Sequence, residues 1–148
     1  MLFPKKNFLN YLILLNNYRM NKILTEISAG ELLDKISILE IKLNKIKDHV
    51  LLNEVRKEYD ILNEIKSKNV SFSDKIDILY NNLKETNKKL WEIENKIRLC
   101  EKNSDFKEKF IQISRDIYFE NDKRSKIKLE INKILGSNIK EVKQYTEY

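Results

Sequence analysis

The sequence predicts an all-α fold, an antiparallel helical bundle of about four long helices with a short C-terminal helix or tail. Three observations predict it. The 148 residues include only two glycines, Gly30 and Gly136, and one proline, so the long stretch between the glycines holds no strong helix breaker. Apolar residues recur there at spacings of three and four, the period of a helix face and not of a strand. A β-sandwich or an α/β fold would need turn residues at many corners, and the chain lacks them. The length suits one domain around one core.

Residues 1–19 differ in character from the rest. Lys5 and Lys6 precede an apolar run from Phe8 to Leu15, which resembles the core of a signal peptide. No small-x-small cleavage pattern follows before Asn16, Asn17, Tyr18 and Arg19. The run is also shorter than the roughly 20 apolar residues that span a bilayer. Met20 reads well as a native start, so residues 1–19 are expected to be an extension outside a domain running over 20–148, with a membrane-contact helix as the alternative.

A first helix is expected from Ser28, where Ser28 and Glu31 have the spacing of a capping box. Leu32, Ile36, Leu39, Leu43, Ile46 and Val50 then form one apolar stripe. Between Asp48 and Asn53, both usable caps, the register shifts to Val55, Tyr59, Leu62 and Ile65, so the first two helices form a hairpin. Ser71 or Ser73 caps a third helix running to about Lys102, with Leu79, Leu83, Leu90, Ile93, Ile97 and Cys100 on its core face. Asp105 and Glu108 have capping-box spacing for a fourth, carrying Phe106, Phe110, Ile113, Ile117, Ile127, Ile131 and Leu135. Gly136 suits its C-terminus. The tail, with Ile139, Val142 and Tyr145 as anchors, is the candidate last short helix.

The chain is basic, with 29 Lys and Arg against 23 Asp and Glu and a formal net charge of +6. Its richness in Lys, Ile and Asn is also typical of A/T-rich genes. The lysines are interleaved with acidic residues instead of forming a block, which reads as a solvated surface and makes nucleic acid an unlikely partner. Cys100 is the single cysteine, so no internal disulfide forms and a reducing, cytoplasmic compartment is expected. His49 is the single histidine, which removes His-rich zinc sites and argues against a Ser-His-Asp triad. The two distant glycines form neither a P-loop nor a dinucleotide fingerprint. A carboxylate-only Mg²⁺ site is left open.

On a wheel of the third helix, Leu79, Leu83, Leu90, Ile93, Ile97 and Cys100 share an arc of about 100°. Asn87, Trp91, Glu94, Arg98 and Glu101 fill the arc beside it, with Glu94 and Glu101 within about 20° of Leu83. Carboxylates at a core margin need partners, because burying an unpaired charge is costly. On the fourth helix Arg124 falls within the apolar arc, so either the helix kinks near Asn121 and Asp122 or Arg124 points inward. Asn121, Lys128 and Asn132 lie near the same arc. The expected arrangement is a polar layer of Glu94, Arg98, Glu101, Arg124 and Lys128 between these two helices, serving as a register-fixing ion-pair network or as a ligand site. Trp91 is a core or groove residue on one reading and a ring platform on the other. Glu31 and Asp34, at i and i+3 on the first helix, suit a divalent metal, and their first-turn position equally suits the helix dipole.

Four strings in order carry a family resemblance: ISAGELLDKISILEIKLNKI from Ile27 to Ile46, LWEIENKIR from Leu90 to Arg98, FIQISRDIYFENDKRSKIKLEIN from Phe110 to Asn132, and EVKQY from Glu141 to Tyr145. Together they resemble a family of small bacterial and phage proteins known only as domain of unknown function 6165, over about Met20 to Tyr148. The resemblance implies a start near Met20 and a setting beside glycosyltransferase-like proteins, in surface-sugar metabolism. It implies no activity. Where the family pattern has Asp this chain has Asn95, so a role that needs a carboxylate there is not carried over.

The function expected from these readings is that of a small-molecule binding or accessory protein for an anionic sugar or nucleotide-sugar. Arg98, Arg124 and Lys128 would hold the anion, Trp91 would pack on a ring, and Glu94 and Glu101 would orient hydroxyls. One alternative is an all-α, Mg²⁺-dependent nucleotide pyrophosphatase-like hydrolase with Glu31, Asp34, Glu94 and Glu101 as metal ligands. The chain lacks the paired E-x-x-E and E-x-x-D motifs of such enzymes. The other alternative is a helical scaffold or polyanion-binding module, whose affinity would fall steeply with salt. No cofactor is assigned with certainty, no transmembrane segment is expected, and homo-oligomerisation is left open.

Overall fold

The computed structural model describes residues 23–144 and 146. The expected extension, residues 1–19, lies outside the described residues, as does Tyr145. Four helices follow in order among the described residues: α1, Ala29–Lys45; α2, His49–Asn69; α3, Asp74–Lys102; and α4, Glu108–Ile134. Among the described residues there is no strand, and no helix is long and apolar enough to cross a membrane.

The caps explain the boundaries. Ser28 Oγ accepts from the Glu31 amide at 3.3 Å, and Asp48 Oδ1 accepts from Val50 and Leu51 at 2.8 and 2.9 Å. Ser73 Oγ accepts from Ile76 at 3.4 Å. Each satisfies amides that have no partner within the helix. Asp48 thus ends the expected five-turn stripe early: Ile46 is the C-cap of α1, and Val50 is 74% exposed in the first turn of α2.

The capping box expected at Asp105 does not form. α4 begins after Lys107, which offers no side-chain cap, so Asp105 lies two residues too early to reach the first turn. Its amide closes the end of α3 instead, donating to the Cys100 carbonyl at 2.9 Å while Ser104 donates to Glu101 at 3.0 Å. This paired closure requires a left-handed residue, here Ser104 at φ 51°. α4 closes in a related way, with Gly136 at φ 64° and the Ser137 amide on the Asn132 carbonyl at 2.9 Å. Beyond it the described tail forms no helix.

α3 and α4 form a long antiparallel hairpin, as the ion pairs Lys75–Glu130 and Lys89–Glu120 show by their order along the two helices. α1 runs antiparallel to α3: its Asp34 meets Asn87, whereas Glu40, further on, meets Tyr80. α1 packs against all three other helices, while the backbone of α2 approaches that of α1 alone. The core joins Leu32, Leu33 and Ile36 of α1 to Ile76, Tyr80 and Leu83 of α3 and Ile131 of α4. Burial of each such side chain contributes about 1.5–3 kcal/mol, so apolar contact holds α1 on the hairpin. Tyr59 and Leu62 of α2 pack on the edge of this core, and α2 has no fully buried residue.

At 29 residues α3 is about 43 Å long against about 26 Å for the 17-residue α1. The core partners of α1 lie in the first half of α3 and the last part of α4. In the other half the hairpin buries Leu90, Cys100 and Ile113.

Two substitutions test these constraints. A Cβ at Gly30 would stand 2.6 Å from the Lys128 carbonyl oxygen and 2.9 Å from Asn132 Oδ1. Gly30→Ala is therefore expected to lower unfolding free energy by about 1–3 kcal/mol in urea titrations, as overpacking does. Ser104→Gly is expected to raise it by about 0.5–1 kcal/mol, because glycine adopts the left-handed conformation without a Cβ penalty.

Candidate functional site

Gly30 brings the first turn of α1 against the last turns of α4. The Gly30 amide donates to Asn132 Oδ1 at 2.6 Å, and the Ala29 amide to Ser137 Oγ at 3.1 Å. The Ser137 hydroxyl in turn donates to Asn132 Oδ1 at 3.2 Å. With Glu31 capped by Ser28, the amides that would make this helix start an anion site are used within the protein.

This docking turns Glu31 and Asp34 toward Lys128. The Lys128 side chain is only 8% exposed, and Nζ donates to Glu31 Oε1 and to Glu141 Oε2, in the C-terminal tail, at 3.0 Å. Asp34 Oδ2 lies 3.8 Å away. Burial by itself lowers the pKa of the ammonium, but the hydrogen bonds to Glu31 and Glu141 and the charge of Asp34 outweigh it and hold Lys128 above its ordinary value. The Lys128 hydrogen bond, working against slight burial, holds Glu141 below the ordinary carboxylate range.

On the side of Asp34 toward α3, Asn87 uses both protons of its amide. Nδ2 donates to Asp34 Oδ1 and to Ser37 Oγ, each at 2.7 Å, and the Ser37 hydroxyl donates to the Asp34 carbonyl at 2.7 Å. Asn87 Oδ1 then faces Arg124, whose Nη1 donates to it at 3.4 Å. The result is one polar layer across three helices: Arg124 to Asn87, Asn87 to Asp34, Asp34 to Lys128, and Lys128 to Glu31 and Glu141.

The two cations differ in how fully they are used. Lys128 has three carboxylates around it. Among the described residues the half-buried Arg124 makes no ion pair, and the contact with Asn87 is its single hydrogen bond. A guanidinium carries five N–H donors in a fixed fork, so most of that fork is not engaged by the described residues.

Of the residues singled out from sequence, Glu31, Asp34, Arg124 and Lys128 come together. α4 is continuous through Asn121 and Asp122, so Arg124 points inward without a kink. Glu94, Arg98 and Glu101 do not join the layer. Arg98, 69% exposed, is paired along its own helix with the Glu94 carboxylate and donates to the Glu94 carbonyl at 2.8 Å, and Glu101 is exposed. Seven and fourteen residues past Asn87, these carboxylates stand about 10 and 21 Å further along α3. The four carboxylates Glu31, Asp34, Glu94 and Glu101 are therefore not one donor set, and a lysine ammonium already occupies the place between Glu31 and Asp34. Among the described residues no group of three or more His, Cys, Asp or Glu could hold a metal ion. Trp91 is half-buried, one turn along α3 from Asn87.

Sequence reasoning placed Asn87 and Asn132 near the polar arc without assigning them a role, and it missed Ser37, Ser137 and Glu141. The buried Ser37 stands one turn after Leu33 on the core side of α1, and such a polar residue on an apolar face was the available signal. Glu141 gave none, since a tail residue has no periodicity to read.

The sequence profile of DUF6165, a family of unknown function, matches residues 23–147. No curated protein and no solved structure matches the chain.

Removing the central cation tests the layer. Lys128→Met is expected to lose about 3 kcal/mol or more at pH 7 in urea titrations, since it leaves buried and half-buried carboxylates facing one another. Because the Glu141 carboxyl is lowered, its share of the wild-type stability is present above the ordinary carboxylate range and is lost as pH falls through the lowered value. That acid-side component should be missing from Lys128→Met.

Proposed function

We propose that this chain, which belongs to DUF6165, a family of unknown function, binds a small anionic ligand at Arg124, with Trp91 beside it as an apolar surface for a ring. The observation that carries this reading is the unequal use of the two inward-facing cations. Lys128 is surrounded by three carboxylates, whereas among the described residues Arg124 is held by one 3.4 Å hydrogen bond. A partly desolvated guanidinium with free donors suits a carboxylate or phosphate, which it can grip through two parallel bonds. Asn87 fixes its position, because the Asn87 amide is itself anchored to Asp34 and Ser37.

The ligand class proposed is an anionic sugar or nucleotide-sugar, in keeping with the sugar-related setting that the family resemblance implies and with a glycosyltransferase-type partner. Glu94, Arg98 and Glu101 are set aside from the sequence-based ligand set, because Arg98 is occupied by Glu94 and all three stand away from Arg124. A cytoplasmic setting fits the lone buried thiol, Cys100. The hydrolase alternative gains no support, because its four carboxylates are dispersed and two of them already share an ammonium.

The test is a titration of glucuronate, glucose 1-phosphate and UDP-glucose, read by thermal shift and calorimetry. Saturable binding by the wild type, lost by at least about tenfold in Arg124→Ala with an unchanged helical circular-dichroism spectrum, is expected, since charge-assisted hydrogen bonds contribute about 1.5–3 kcal/mol. Failure of all three compounds to bind or stabilise the protein would overturn the reading.

A further inference from the structure

The tail after α4 has one feature that the binding proposal leaves unused. Residues 138–144 are exposed and form no helix or strand, yet Glu141 reaches back into the polar layer and places Oε2 3.0 Å from the buried Nζ of Lys128. Glu141 itself is 41% exposed, and its other oxygen is paired with Lys143 of the same tail at 3.3 Å. The carboxylate therefore enters from solvent, on a short tether, at a cation one helical turn from Arg124.

Charge balance indicates what this carboxylate does there. Glu31 and Asp34 balance Lys128 and Arg124, so the layer is neutral without Glu141 and carries one net negative charge with it. Lys128 Nζ has three donors; Glu31 takes one and Glu141 another. Withdrawing Glu141 would free a donor on Lys128 one turn, about 6 Å along the axis, from the Arg124 fork, most of which no described residue engages. A monoanion bridging the two cations would restore the same net charge.

We propose that Glu141 is an internal stand-in for the ligand: the tail is a strap that occupies the Lys128 side of the site with its own carboxylate, and a monoanionic, carboxylate-bearing sugar displaces it. This rests on the Arg124 reading and adds to it both a ligand chemistry and a means of control. The strap competes for the same donors, so a ligand binds only the fraction of molecules in which it is open, and apparent affinity falls by that fraction. A strap closed about nine-tenths of the time weakens binding about tenfold.

The experiment titrates glucuronate and, separately, glucose 1-phosphate into the wild type, Glu141→Gln, a chain lacking residues 139–148, and Arg124→Ala/Glu141→Gln. In parallel, the rate of tryptic cleavage after Lys140 is followed in the wild type with and without glucuronate. The expected result is about tenfold tighter glucuronate binding in both strap variants, loss of binding in the double variant, and faster cleavage in the wild type when glucuronate is present. Equal affinity in wild type and strap variants, with cleavage unchanged by ligand, overturns the strap and leaves the Arg124 reading standing. A gain confined to glucose 1-phosphate overturns the carboxylate assignment. No binding of either compound by any form, strap variants included, overturns the strap proposal, and the Arg124 reading falls with it where UDP-glucose also fails to bind.

Discussion

The close approach of α1 to α4 at Gly30 is the constraint on which the polar layer depends. With no side chain at that position, the α1 backbone comes near enough for the Gly30 amide to meet Asn132 Oδ1 at 2.6 Å. A methyl group there would collide with the Lys128 carbonyl. Glu31 is the next residue and Asp34 follows one turn later, and their reach to Lys128 depends on the distance that Gly30 sets. Moving α1 outward would stretch the Lys128 contacts and the Asn87 bridge together, because both end on Asp34.

Apolar burial and the polar layer divide the work of fixing the fold. Leu32, Leu33 and Ile36 supply the attraction that keeps α1 on the hairpin, but apolar contact is non-directional and would accept a helix slid by a turn. Asp34, Ser37 and Asn87 remove that freedom, since a shift of one turn would bury Asp34 without Asn87 and cost several kcal/mol. The same argument separates the two cations. Lys128 is enclosed by Glu31, Asp34 and Glu141 and ties α1 and the tail to α4, whereas Arg124 makes only the Asn87 contact among the described residues.

Much of the fold was legible in the sequence for identifiable reasons. Ser28, Asp48 and Ser73 announce helix starts because an oxygen on a short side chain bonds amides in its own turn, a contact decided within a few residues. Gly136 announces a helix end because its left-handed conformation is a local requirement. Where local rules did not apply, the reading went astray. Ser104 fills the same left-handed position without being glycine, and Lys107 starts α4 without a cap. The Glu31 carboxylate, expected to serve its own helix end, is instead bonded to Lys128.

Sequence by itself determined the helical class and nearly the limits of the long helices, set by period and by contacts within one or two turns; for Arg124 it left a kink or an inward side chain open, and the unbroken α4 decided for the second. Membership of the polar layer was decided only by tertiary structure. Glu94 and Glu101 have the wheel angle for it but stand beyond the reach of its other members, whereas Asn87, Ser37 and Asn132 are at the right height. An angle around one helix can be read from spacing. The height at which two helices meet depends on where α1 comes to rest against α4, and a single glycine contact across 98 residues from Gly30 to Lys128 sets that.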